Sequence, residues 1–260
     1  MPGQGFVRFN LHNSIGCYPA ELKILQPLVS MNEEELRDWL WEIDQIQKER
    51  STRLQIQYAN EIEVLKGKKV LFLGDSITND NLGYRPSVSQ AAELNALNAS
   101  ISGGTVSMLL PLAKSMIERE KPDIVSLMVG ANDSICLGSE DLNQVSPEEY
   151  QRDVSAILSF AKQSDTRILL FEITPVLEDR FEKCFSVEGK IQSNSTIQRY
   201  NRLLKEVAEF YDVKLVSHTW LFEGEKLSSL YEDDGIHLSV LGQERFAAKW
   251  LVEASNLMKS

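Results

Sequence analysis

Cysteine is scarce in this sequence, and the three cysteines present form no motif. Cys17, Cys136 and Cys184 lie far apart, and no Cys-x-x-Cys pair occurs among the 260 residues. We therefore expect neither a disulfide framework nor a zinc site, and this cysteine usage favours the reducing cytoplasm. Long hydrophobic runs are lacking too, so we expect no segment that spans a membrane. The first residues show neither the basic stretch nor the apolar core of a signal peptide, and none is expected.

Positive charge is also in short supply. The chain has 27 lysines and arginines against 38 aspartates and glutamates, which gives a formal net charge of −11 at pH 7. A chain with this charge repels polyanions, so we expect neither nucleic acid nor an anionic membrane surface as a partner. Apolar residues make up 43% of the sequence, enough for a substantial core, and this composition excludes the collagen-like and disordered classes.

From residue 66 onward, short apolar runs alternate with longer stretches of helical periodicity. The runs are continuous, which is typical of parallel strands that helices cover on both faces. Strands are predicted at 69–73, 93–98 (the weakest), 123–129, 167–171 and 213–216. Helices are predicted at 104–120, from the Ser146 capping box onward, at 195–211, and from Ser239 to near the C-terminus. This alternation favours a doubly wound α/β fold.

Residues 1–65 differ from the main domain at 66–260, and we predict a mostly helical extension. Residues 7–11 alternate apolar with polar side chains, which is typical of an edge strand. Ser30 and Glu33 have the spacing of a capping box that would start a helix. The predicted helix has an apolar stripe, which a polar segment near Ser51 interrupts. One long helix and a helical hairpin broken near Ser51 are both consistent with this pattern. The stripe must be covered, either by the main domain or by a second subunit in a homodimer.

The first candidate for chemistry follows the first predicted strand, in the run Gly-Asp-Ser-Ile-Thr at 74–78. Ligands of open parallel sheets bind beyond the carboxyl ends of the strands, which is where Ser76 would lie. A serine hydroxyl becomes a good nucleophile when a base takes its proton and a third group orients that base. The run is not a Gly-x-Ser-x-Gly elbow, because Thr78 replaces the second glycine. A turn in which Asp75 and Ser76 merely cap a helix is the alternative interpretation.

Three histidines are candidates for the base. His12 lies in the extension, and His218 follows the last predicted strand, where a polar residue is common. His237 lies in a polar loop before the last helix, with Asp234 three residues earlier and Gly235 allowing a tight turn. In such an arrangement a carboxylate can bind one ring nitrogen while the other faces the serine. Capping of the last helix by these residues is the alternative.

Two polar clusters after other strands could stabilise an oxyanion. Gly103 follows the second strand, where a glycine lets a backbone N–H approach a substrate, and Asn132 follows the third with a neutral amide donor. Each cluster alone is also a good turn sequence. Their joint placement is more informative, because nucleophile, base, orienting carboxylate and oxyanion donors would all meet at one rim of the sheet.

Together these motifs resemble the SGNH hydrolases, also called the G-D-S-L lipolytic family. The name-giving residues Ser76, Gly103, Asn132 and His237 occur in the family's order, within a resemblance that covers about 67–257. The resemblance implies a three-layer α/β/α fold, flavodoxin-like, whose five-stranded parallel sheet has the order 2-1-3-4-5. It also implies serine-ester hydrolysis without a metal or organic cofactor.

On this basis we hypothesise that Ser76 attacks an ester carbonyl while His237 removes its proton and Asp234 orients the histidine. The N–H groups of Ser76 and Gly103 and the Asn132 amide would bind the oxyanion. Neighbouring motif positions are expected to support the site: Asp75 and Asp133.

Two conspicuous loops, 79–86 and 176–194, follow predicted strands at this rim. We expect them to line the pocket for the acyl group of the substrate. The second would wall or cover the site, or else be a peripheral surface loop. Neither loop shows the clustered aromatic residues of a carbohydrate platform or a broad lipid-binding face. We therefore expect a short-chain acyl ester, such as an acetyl ester of a sugar or small metabolite. Longer-chain esters, thioesters or lysophospholipids are the alternative, and a non-catalytic acyl- or glycan-binding module is an alternative of another class. Transfer of the acyl group to an alcohol would use the same machinery.

Overall fold

A five-stranded parallel sheet forms the centre of the protein, in a computed structural model that describes residues 8–9, 14–15, 18–19, 31–139 and 142–260. The strands are β1 Lys69–Gly74, β2 Asn95–Asn98, β3 Ile124–Met128, β4 Arg167–Phe171 and β5 Leu215–Val216. Their spatial order is β2-β1-β3-β4-β5, with every neighbouring pair parallel. The α/β fold class predicted from the strand and helix pattern and the strand order implied by the family resemblance are both confirmed.

Helices cover both faces of this sheet. Those of the described residues are α1 Glu33–Gln57, α2 Ala59–Leu65, α3 Ser76–Asn79, α4 Tyr84–Ala91, α5 Val106–Glu120, α6 Pro147–Gln163, α7 Glu178–Phe185, α8 Asn194–Phe210 and α9 Val240–Lys259. Two short antiparallel pairs join Ser14–Ile15 to Tyr18–Pro19 and Cys136–Leu137 to Lys190–Ile191. None of the helices in the described ranges is long and apolar enough to cross a membrane.

Each face of the sheet has its own apolar core. Leu71 and Leu73 of β1 pack with α5, α6 and α8, whereas Val70 and Phe72 of the same strand pack with α2, α4 and α9. Successive strand side chains point to opposite faces, so a strand buried on both sides needs a continuous apolar run. These runs are the signal that made the strands recognisable in the sequence.

The start of α1 differs from the prediction. Its capping box is formed by Asn32 and Glu35: the Asn32 side chain accepts from the Glu35 N–H at 3.0 Å, and the Glu35 carboxylate accepts from the Asn32 N–H at 2.7 Å. The predicted box of Ser30 and Glu33 is wrong, because both pairs have the required spacing and spacing alone cannot separate them. Ser30 itself lies outside the described residues.

Two further predictions for the extension can be compared with the structure. Arg8 and Phe9 have helical rather than extended backbone, so the predicted edge strand is wrong at these two positions. The rest of that strand, His12 and Cys17 lie outside the described residues. Helix α1 continues through Ser51 and ends at Gln57, with Tyr58 as its C-cap, so the polar segment does not break it.

That polar segment is buried rather than solvated. Gln47, Arg50 and Ser51 are at most 5% exposed. Arg50 Nη1 donates to the carbonyl of Leu82 at 2.6 Å and to Ser87 Oγ at 3.1 Å. Burial lowers the pKa of the Arg50 guanidinium from its ordinary value. Polar contacts therefore join the extension to the segment that follows α3. The spacing of apolar residues along the helix does not predict these contacts.

We predict that Arg50→Ala lowers the free energy of unfolding by about 2–4 kcal/mol, because it leaves a cavity and unpaired buried acceptors. Arg37→Ala on the exposed side of the same helix is the matched control, expected to cost less than about 0.5 kcal/mol. Urea unfolding followed by circular dichroism measures both. Equal, small effects would contradict this account of the α1 interface.

Candidate active site

Three residues from two distant parts of the chain form a continuous hydrogen-bonded series. Ser76 Oγ lies 2.7 Å from His237 Nε2, and His237 Nδ1 lies 2.6 Å from Asp234 Oδ2. The side chains of His237 and Asp234 are 17% and 26% exposed, so the series is partly shielded from water. This arrangement can move a proton from the serine hydroxyl to the imidazole while a carboxylate holds the ring.

Local backbone geometry presents the serine at the end of β1. Asp75 caps α3, its carboxylate accepting from the Ile77 N–H at 3.0 Å, so Ser76 is the first residue of that helix. A Cβ at Gly74 would lie 2.6 Å from the Met128 carbonyl, so only glycine fits between β1 and β3 at this point. The strand-to-helix turn therefore combines a close strand contact with an acidic cap.

The loop that carries the histidine is built around an aspartate turn. Asp234 Oδ1 accepts from the N–H groups of Ile236 and His237, both at 3.0 Å. Gly235 between them has φ +76°, and a Cβ there would lie 2.6 Å from the carbonyl of Leu177. One carboxylate thus orders the loop backbone through one oxygen and holds the imidazole through the other.

The expected oxyanion donors lie at the same rim. Gly103, with φ +72°, and Asn132 line one cavity together with Ser76 and His237. Asn132 Nδ2 donates to the Gly104 carbonyl at 3.1 Å, which holds the amide beside the second motif. The amide has a second N–H, so this contact leaves it able to donate to a substrate.

The cavity at this rim has a volume of about 360 Å³. Segment 176–194 contributes Phe181, Phe185 and Lys190 to its wall, so this segment is not a peripheral loop. Residues 79–86 do not line it, contrary to expectation, because Asn79 to Leu82 are buried beneath the rim. The remaining lining residues come from several loops: Phe9, Ser102, Ile135 and Ile236.

His218, another candidate for the base, lies apart from the cavity. Its Nδ1 lies 2.9 Å from Glu172 Oε2, and this pair joins the ends of β4 and β5 and does not line the cavity.

The described residues also show no candidate metal site. Among them, no group of three or more His, Cys, Asp or Glu could hold a metal ion.

Residues 72–245 match the family described as GDSL-like lipase/acylhydrolase. The chain belongs to this family. The match spans well over half of the chain, contains all four motifs and starts after the helical extension.

Named relatives of this acylhydrolase are esterases. It is 26% identical over 190 residues to the isoamyl acetate-hydrolyzing esterase 1 homolog of Homo sapiens, covering 68% of this chain and 77% of the relative. It is 27% identical over 222 residues to the acetylxylan esterase of Geobacillus stearothermophilus, covering 74% and 96%.

Solved structures show the same fold. A catalytic mutant of the Geobacillus stearothermophilus acetylxylan esterase Axe2 superposes with a TM-score of 0.58 at 25% identity, covering 72% of this chain and 94% of that one. TesA superposes with a TM-score of 0.56 at 22% identity, covering 72% and 98%. Family and named relatives together establish a hydrolase that acts on ester bonds.

Buried carboxyl groups lie beside this cavity. Burial raises the pKa of Asp75 to about 6, and burial together with the nearby Asp75 charge raises the pKa of Asp133 to about 7. Asp133 Oδ1 accepts from the Val106 N–H at 2.9 Å and so fixes the start of α5, while Oδ2 has no hydrogen-bond partner in the described part of the chain. Burial also acts on Asp234, but the hydrogen bonds that its carboxylate accepts from His237 and Ile236, together with the charge of His237, outweigh burial and lower the pKa of Asp234 below its ordinary value.

Phe9 is a residue of the site that no motif in the sequence predicts. Its ring centroid lies 4.5 Å from that of His237. Nothing near Phe9 in the sequence marks it, because the contact joins the extension to a loop near the other end of the chain.

We predict that Asp133→Asn becomes more stable relative to the parent protein as pH rises from 4 to 8. A carboxyl group whose folded pKa is near 7, against 3.8 unfolded, keeps its proton longer when folded, so its contribution to stability falls over this window. The difference in unfolding free energy between variant and parent should grow by about 2–4 kcal/mol.

Chemical unfolding at several pH values measures this difference, with the exposed Asp38→Asn as the matched control. A difference that stays constant with pH for Asp133→Asn would contradict the burial of an ionisable carboxyl at this position.

Proposed function

We propose that this esterase hydrolyses short-chain acyl esters, acetyl esters of a sugar or small metabolite in particular, through an acyl-enzyme on Ser76. The observation that carries the proposal is the series of two short hydrogen bonds, 2.7 and 2.6 Å, from Ser76 through His237 to Asp234. A serine, a histidine and a carboxylate in this order are the groups that acyl transfer requires.

In the first half of the reaction, Ser76 Oγ bonds to the ester carbonyl carbon as its proton passes to His237 Nε2. The imidazolium then gives this proton to the leaving alkoxide, the carbon–oxygen bond of the ester breaks, and the alcohol departs. In the second half, a water molecule loses a proton to His237, attacks the acyl-enzyme and releases the carboxylic acid, and Ser76 regains its proton. Asp234 stays ionised throughout, in accord with the lowered pKa of its carboxyl.

Negative charge that develops on the carbonyl oxygen needs donors already in place. We assign this role to the N–H groups of Ser76 and Gly103 and to the Asn132 amide, which share the cavity wall. Such donors stabilise the tetrahedral intermediate without reorganisation, which makes them more effective than water.

Cavity size and similarity both support a small substrate. A volume of about 360 Å³ is near the lower end for ligand pockets. Two relatives are named for acetate esters, isoamyl acetate and acetylxylan. Catalytic mutants of the acetylxylan esterase replace a serine, an aspartate or a histidine by alanine, the three residue types of the series proposed here.

A longer-chain acyl substrate is the second candidate. The chain is 26% identical over 196 residues to the thioesterase 1/protease 1/lysophospholipase L1 of Escherichia coli, covering 71% of this chain and 81% of the relative. Exposed apolar side chains on the segments around the cavity would favour such a substrate: Leu137, Val187 and Ile191.

We predict that Ser76→Ala lowers kcat for p-nitrophenyl acetate by at least about 10³-fold, because the nucleophile is lost. A fluorophosphonate probe should label the parent protein and not this variant. Unchanged turnover in Ser76→Ala would refute the mechanism, and a parent protein that the probe does not label would indicate a binding module.

Removal of the Asn132 amide by Asn132→Ala should lower kcat by about 10²–10³-fold with a smaller change in KM, because the oxyanion exists only near the transition state. Asn256→Ala on the exposed face of α9 is the matched control, expected to leave both constants unchanged. A loss in KM alone would contradict the oxyanion role.

Chain-length preference separates the two candidate substrates. We expect kcat/KM over p-nitrophenyl esters of two to twelve carbons to be highest at the shortest acyl chains, because the cavity limits the space for the acyl group. A maximum at eight carbons or more would instead favour the thioesterase or lysophospholipase alternative.

A further inference from the structure

Two residues of the extension reach the active site from outside the family domain. Phe9 lines the cavity with Ser76, and its ring lies against that of His237 at a centroid distance of 4.5 Å and an angle of 33°. Arg8 and Phe9 both precede residues 72–245, which match the family. The contact is therefore a feature of this chain and not of the matched domain.

The backbone carbonyl of Phe9 is held by two of the loops that build the site. It accepts from Asn79 Nδ2, at the end of α3, and from Ser102 Oγ at 2.6 Å, beside Gly103. Asn79 Nδ2 also donates to Ser102 Oγ at 3.0 Å. Two donors on one carbonyl fix the position of the residue that bears the phenyl ring.

Arg8 supplies a second and stronger attachment. Its Nε and Nη2 donate to the two oxygens of Asp80 at 2.7 and 2.6 Å, and Nη1 donates to Glu232 at 2.9 Å. The Asp80 side chain is fully buried and that of Arg8 is 13% exposed, so water screens this bidentate pair poorly. The Arg8 carbonyl accepts in addition from the Asn81 backbone N–H at 3.0 Å. Two residues thereby join the segment after the nucleophile to the loop of the histidine.

The position of Phe9 against His237 indicates which part of an ester it would touch. His237 must pass its proton to the leaving oxygen, so the alcohol part of the ester lies next to the imidazole. A phenyl ring packed on that imidazole and facing the cavity presents an apolar surface to the alcohol. Phe181 and Phe185 also line the cavity, but they belong to segment 176–194 and not to the extension.

We propose that Phe9, held by Arg8, is a specificity-determining residue that contacts the alcohol part of the ester. This inference rests on the proposed Ser76 mechanism, since that mechanism defines the leaving-group side. It gives the extension a role in substrate selection in addition to its packing.

The test compares two substrate series on the full chain. In the first, acetates of methanol, butanol and benzyl alcohol vary the alcohol, and in the second, p-nitrophenyl acetate, butyrate and hexanoate vary the acyl group. Phe9→Ala should lower kcat/KM about tenfold for benzyl acetate and less than about twofold for methyl acetate, because only the larger alcohol loses apolar contact. The relative rates in the acyl series should stay unchanged. Phe9→Leu should give an intermediate loss, and Phe210→Ala, at a position 81% exposed on α8, should give none.

Equal losses for all three alcohols, or a change in acyl preference instead, would overturn the proposal. Should Phe9→Ala fail to fold by circular dichroism, Phe9→Leu decides the question by the same ratio of benzyl to methyl acetate. Arg8→Ala should reproduce the alcohol profile of Phe9→Ala, with Arg37→Ala as its control. A parent-like profile in Arg8→Ala would overturn the holding role of Arg8.

Failure of this inference is distinguishable from failure of the proposed function. If Ser76→Ala abolishes hydrolysis while Phe9→Ala keeps the parent's alcohol profile, only the role of Phe9 is wrong. If ester hydrolysis by the parent protein does not depend on Ser76, the mechanism fails and the role of Phe9 fails with it.

Discussion

The hydrogen bond between Ser76 and His237 is the contact that requires the whole α/β architecture. It joins residues 161 positions apart, and it forms only if the end of β1 and the loop before α9 meet at one edge of the sheet. Parallel strands ensure this, because all their carboxyl ends lie at the same edge and crossover helices return the chain to the other. The buried apolar runs of the strands thus determine, at a distance, where a hydroxyl meets an imidazole.

Three carboxyl groups around this contact hold its loops in place, and two of them are buried at a cost in stability. Asp75 caps α3, Asp133 fixes the start of α5, and Asp234 orders the loop of His237. Asp75 and Asp133 are nearly inaccessible to solvent, and the raised pKa of each carboxyl reflects what ionisation costs there. Strained or costly groups of this kind are common where a site must stay rigid.

The extension adds a second set of buried polar contacts on the far side of Ser76. Gln47 of α1 donates to the Asn81 carbonyl at 2.7 Å, and Arg8 binds Asp80 next to it. Arg8 and helix α1 therefore both bind the segment after α3, and both lie outside residues 72–245, which match the family. Residues 79–86 hold the extension instead of lining the cavity, which explains why the expectation of an acyl wall there was wrong.

Local signals in the amino-acid sequence are enough to predict the strands, most helix positions and the four polar motifs at the strand ends. Continuous runs such as 69–73, and caps such as Ser239 before α9, are signals that a single segment carries. The burial of polar Arg50 and the packing of Phe9 on His237 become visible only in the folded protein. Both depend on contacts between segments that are distant in the chain. The residues next to Arg50 or Phe9 in the sequence do not indicate which distant segment will pack there, so local patterns cannot predict these contacts.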